Sequence, residues 1–90
     1  MMELFEEANN FHQIISYLDH NHKLFIRNEK DNNYFVLAPA TENEMFNVKL
    51  ITKEKDISLS KPILKHYIPT IAHYLGFRFE NCILEDRIPI

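Results

Sequence analysis

Apolar residues recur at three- and four-residue steps along the start of the chain: Leu4, Ala8, Phe11, Ile15 and Leu18, with Phe5 and Ile14 widening the stripe. That period predicts an amphipathic helix over residues 3–19, ended by the polar run Asp19-His20-Asn21-His22. Glu3, Glu6 and Glu7 fall in its first turns, where carboxylates favour the positive end of the helix dipole.

The pattern then changes. Lys23–Arg27 and Tyr34–Ala38 are short runs rich in aromatic and branched residues, separated by the wholly polar stretch 28–33. Two strands joined by an asparagine-rich turn are expected, because asparagine tolerates positive φ. Pro39 ends the second strand, since it has no N–H to give to a ladder. Phe46, Val48 and Leu50 alternate with Asn47, Lys49 and Ile51, the pattern of a half-buried third strand.

After the charged loop 53–56, Ser60 stands where it would cap a second helix with Lys61 and Pro62 in its first turn. Leu64, Tyr67, Ile68, Ile71 and Leu75 form that helix's apolar stripe, and Gly76 is placed as a left-handed cap. Pro69 inside it predicts a kink near residues 65–69, or two short helices in sequence. Phe77-Arg78-Phe79-Glu80 alternates again and opens a last strand over 77–84.

These elements predict an α+β domain, a two-layer sandwich in the order α-β-β-β-α-β. Its two helices lie over a mostly antiparallel four-stranded sheet, whose other face is partly wet or carries a second copy or partner. Phe5, Phe11, Phe25, Phe35, Phe46, Phe77 and Phe79 are the expected core aromatics, and the four tyrosines its margin. At 90 residues and 46% apolar composition the chain has room for one core, hence a single domain over 1–90. Residues 85–90 form a candidate docking tail. So limited a core makes a homodimer an easy route to added stability.

Composition narrows the chemistry. One cysteine, Cys82, forms no internal disulfide, the start lacks the basic and apolar parts of a secretory signal, and no stretch approaches the ~18 apolar residues that cross a bilayer. A reducing, cytoplasmic setting with no membrane partner is expected. A formal charge of -3 disfavours nucleic acid as the main partner without excluding a local basic patch.

With Gly76 the only glycine, no glycine-rich phosphate loop exists, and neither HExxH nor CxxC occurs. No cofactor, catalytic or metal residue is assigned, and the chain is expected not to be an enzyme. Adjacent Glu6 and Glu7 point about 100° apart on a helix and cannot converge on one substrate. His20 and His22 would share one side of an extended segment and offer two ligands to a zinc ion. No third ligand can be named, and a solvated connection is the weightier reading. Pro62, His66, Pro69 and His73 would make an exposed ridge along the second helix, with an ordinary solvent face as the alternative. Cys82 lacks any local signature of a nucleophile and reads as a small apolar strand residue.

The expectation is therefore a non-enzymatic protein-interaction module: a regulator, inhibitor or adaptor whose partner the sequence does not identify. Its candidate contact residues are Tyr67, Tyr74, His66 and His73 on the second helix and Ile88 and Ile90 in the tail, where two aliphatics flank a stiff proline. A small-ligand or metal-binding domain using histidines and a nucleic-acid-associated regulator are the rivals.

Overall fold

The structure, a computed structural model, describes residues 4–8 (by their backbone), 11, 23–42, 44–79 and 82–85. Seven strands form one sheet: β1 Leu4–Ala8, β2 Leu24–Asn28, β3 Tyr34–Pro39, β4 Met45–Ile51, β5 Asp56–Ser58, β6 Ile63–Leu64 and β7 Cys82–Glu85. A 3-10 turn, Lys65–Tyr67, leads into the helix α1, Ile68–Leu75. The spatial order is β1-β7-β2-β3-β4-β5, with β6 also on β4, and every pairing is antiparallel. The α+β class and the antiparallel sheet are as expected. Four strands and two helices are not: the described residues hold seven strands and one short helix.

The alternation along β2 and β4 decides which face is which. Leu24 and Ile26 face inward with Phe35 and Leu37 of β3, Phe46, Val48 and Leu50 of β4, and Cys82 and Leu84 of β7. Ile68 and Ala72 of α1 close that layer, joined by Phe77, while Ile71 and Leu75 stand half-buried beside them. Those four α1 positions are one helical stripe. Phe35 lies among aromatic rings, with centroids 5.2 Å from Phe77 and 5.5 Å from Phe79; Phe11 meets Phe79 at 5.2 Å with its ring tilted by 52°. Phe25 departs from the expected core set. It sits one position off the inward register and faces the other side of the sheet.

Three further expectations are corrected. Residues 4–8 are a strand paired with β7, not the start of a helix over 3–19; Phe11 is helical, and the rest of that segment lies outside the described residues. The second helix does not begin at Ser60. Instead β5 and β6 both run along the outer edge of β4, and between the pairs Lys49–Ser58 and Phe46–Ile63 the outer chain takes two residues more than β4 does. Pro62, lacking an N–H, falls in that bulge. Of the two outcomes expected at Pro69, two short helices in sequence is the one that forms: the 3-10 turn Lys65–Tyr67 runs into α1, and Pro69 lies in the first turn of α1, where its missing N–H breaks no helical bond. Last, 77–79 are not paired in the sheet, and the final strand starts at Cys82.

Turn chemistry follows the sequence closely. Asn28 accepts the N–H groups of Lys30 and Asp31 on its side-chain oxygen (2.9 and 3.3 Å), and Asn32 takes φ 57°, so the asparagines build the β2–β3 turn. Gly76 ends α1 at φ 84°, its N–H on His73 O at 3.0 Å and the next N–H, of Phe77, on Ala72 O at 2.9 Å. A Cβ at Gly76 would meet nothing within 4 Å, so the cost of Gly76→Ala is purely one of backbone conformation. We expect it to destabilise by about 1 kcal/mol, read as a lower urea midpoint at unchanged slope; an unchanged midpoint would show the cap relaxing freely.

Candidate interaction surface

The outward side of α1 and of the turn before it carries the most exposed aromatics of the described residues. Tyr74 is 86% exposed and Tyr67 58%. They are exposed because Ile68 and Ala72 take the sheet-facing positions, which leaves Tyr67, Thr70 and Tyr74, at steps of three and four, on the opposite side. His66 and His73 are exposed as well. Four of the six expected contact residues thus share one element and its lead-in, while Ile88 and Ile90 lie outside the described residues. The ridge alternating prolines with histidines does not form: Pro62 belongs to the sheet-edge bulge and Pro69 is half-buried.

The edge formed by β5 and β6 is a poor template for another strand. Its strands are three and two residues long, separated by the bulge, with Lys61 and Pro62 in the gap.

A polar cluster invisible to local pattern lies on the other face of the sheet. Glu85 is fully buried, and Arg27 Nε donates to its Oε1 at 3.0 Å. Tyr34 Oη donates to Oε2 at a long 3.5 Å, while Arg27 Nη1 reaches Asn32 Oδ1 at 3.1 Å. Burial pushes the Tyr34 hydroxyl above the usual phenol range, and the adjacent Glu85 carboxylate pushes it further, partly offset by Arg27. The group ties β7, β2 and β3 together. Its carboxylate is closed off from water, while Arg27 and Tyr34 are half-buried. Only the strand register brings Arg27 beside Glu85, 58 positions away, so no sequence signal could have found the pair.

Cys82 is fully buried and its thiol donates to Arg78 O at 3.3 Å. Desolvation, with a smaller push from Glu29, raises the thiol to about 12, so it stays protonated at neutral pH. We expect no reaction with a thiol reagent in the native state and one equivalent after unfolding in denaturant; rapid native modification would overturn the placement.

A shallow depression of about 230 Å³ crosses the same face, floored by Val36 and Ala38 and rimmed by Lys23, Lys49, Asn47 and Ser58. Lys49 is already engaged by Asp56 at 3.7 Å. Among the described residues no three His, Cys, Asp or Glu side chains converge as a metal site, and His20 and His22 lie outside them. No described helix is long and apolar enough to cross a membrane.

No family model, curated protein or solved structure matches the chain.

Proposed function

We propose that the chain is a small protein-interaction module, a regulator, inhibitor or adaptor without a reaction of its own, whose partner docks on the outer side of α1. One observation carries this: Tyr67 and Tyr74, 58% and 86% exposed, stand seven residues apart, one in the 3-10 turn and one on α1, whose inner stripe is anchored in the core. Tyrosine brings a large apolar area with only two rotatable bonds and a polar tip, which is why it recurs among the residues that dominate binding energy. The interrupted β5/β6 edge makes strand addition there the poorer mode. A reducing setting such as the cytoplasm suits a chain whose one thiol is buried and needs no disulfide.

The test is affinity capture from the native host with the wild type and with Tyr67→Ala/Tyr74→Ala. Both side chains are exposed, so the double variant should keep its melting temperature within a few degrees. Loss of each anchor should weaken binding at least about thirtyfold. A captured protein that the double variant retains equally well removes this surface from consideration.

A further inference from the structure

We propose that the depression on the outer face of the sheet binds a small organic monocarboxylate, an anion with a compact apolar body about the size of benzoate. It lies on the side of the sheet opposite α1, so this inference is independent of the interaction surface.

The strand register builds the site. Ala38 pairs with Asn47 and Val36 with Lys49 across β3 and β4, and Lys49 pairs in turn with Ser58 of β5. Paired residues share a face, as do residues two apart along a strand, so these side chains all project to the outer side. Leu24 pairs with Leu37, which brings Lys23 beside Ala38, and Lys23 completes the lining from the far side of β3. Short side chains in the middle with longer ones around them make a dip in an otherwise even surface. Val36 is only 7% exposed, so the floor is apolar and largely screened from water. Such a floor takes an apolar body. The volume of about 230 Å³, below the ~300 Å³ at which drug-sized sites begin, limits that body to a single ring or a short chain.

The rim selects the charge. It carries the ammonium groups of Lys23 and Lys49 and no carboxylate. Asp56, outside the lining, meets Lys49 at 3.7 Å in an exposed pair, whereas Lys23 has no ion pair among the described residues. One cation is left to be matched, which calls for one negative charge. Asn47, across Ala38 from Lys23, adds an amide N–H and Ser58 a hydroxyl as neutral donors. A carboxylate over Ala38 would meet Lys23 and Asn47 while its apolar body covers Val36. Inorganic phosphate fits less well, because it has no apolar part for the floor and its second charge finds no unpaired cation. A metal cation would be repelled by both lysines.

The experiment titrates the full nitrogen-15-labelled chain with sodium benzoate at constant ionic strength and follows the amide chemical shifts. Benzyl alcohol and inorganic phosphate serve as comparisons. Expected is saturable binding with a Kd on the order of 1 mM, as suits a small ligand in an open site, with the largest shifts around Val36, Ala38, Asn47 and Lys49. Benzyl alcohol and phosphate should each bind at least about tenfold more weakly, and Lys23→Met, which keeps the stem and loses the charge, should weaken benzoate about fivefold. Lys23 is exposed and lies outside every strand, so this variant should keep its melting temperature within a few degrees. Benzyl alcohol bound as tightly as benzoate overturns the requirement for charge, and phosphate bound as tightly overturns the requirement for an apolar body. Either result removes the proposal, as do shifts centred elsewhere, undiminished binding by Lys23→Met, or no saturation by about 20 mM benzoate.

Discussion

Phe35→Ala is expected to cost about 3–5 kcal/mol of unfolding free energy, the largest effect of any single truncation proposed for this chain. Phe35 has no solvent exposure and sits on a central strand, its ring stacked on Phe77 and edge-on to Phe79. Removing it opens a void between the sheet and the segment following α1, and Phe77 and Phe79, themselves in contact at 5.4 Å, lose a shared partner. Relaxation can refill part of that space only by moving the Gly76 cap, whose two hydrogen bonds hold Phe77 in place. Domains of this size have about 5–15 kcal/mol in total, so the variant should be near the limit of folding at 25 °C. Urea unfolding followed by circular dichroism measures it, and a loss below about 1 kcal/mol would mean that the aromatic cluster is loosely packed.

The second large effect is Arg27→Ala. It leaves Glu85 fully buried with only the long contact from Tyr34. Breaking a buried ion pair by removing one member typically costs about 3–5 kcal/mol. The Arg27 side chain is 23% exposed, so its charge is partly screened and the lower end, about 2–3 kcal/mol, is the appropriate figure. Glu85→Gln, which removes the charge but keeps the shape, should cost less, about 1–2 kcal/mol. Arg27→Met/Glu85→Leu should recover most of the loss, since an apolar pair of similar volume has no desolvation to offset. If the double variant is no more stable than Arg27→Ala, the cost lies in lost packing and not in the stranded carboxylate.

What sequence pattern revealed and what it hid divide along one physical line. Strands whose two faces differ, β2 and β4, announce themselves because alternate side chains go to different environments. The turn at Asn32 and the cap at Gly76 are equally legible, since each needs a positive φ that few residues accept. Leu4–Ala8 misleads because its strand state is decided by a partner far along the chain. Its apolar residues also fit helical steps, and a register shift between Leu4 and Glu7 breaks the period of two. β5 and β6 are three and two residues long, too short to show any period, and Leu64 also fits the apolar stripe of the helix that follows. Tyr67, Tyr74, His66 and His73 were legible as a candidate surface because their type and spacing are local. The Arg27, Tyr34 and Glu85 cluster was not, because it exists only once three strands are in register.

The place of β7 between β1 and β2 has a consequence for biosynthesis. As the chain leaves the ribosome, β2, β3, β4 and β5 can zip up in order, each with its sequence neighbour. β1, though made first, has its place beside a strand that has not yet been translated. Until residues 82–85 emerge, the flank of β2 that will receive them is an open backbone edge, available to any extended segment nearby. Closing the sheet depends on pairing segments almost the full chain apart, a step that high contact order makes slow. Before the last strand slots in, that unpaired flank of β2 is where the folding chain is most open to mispairing.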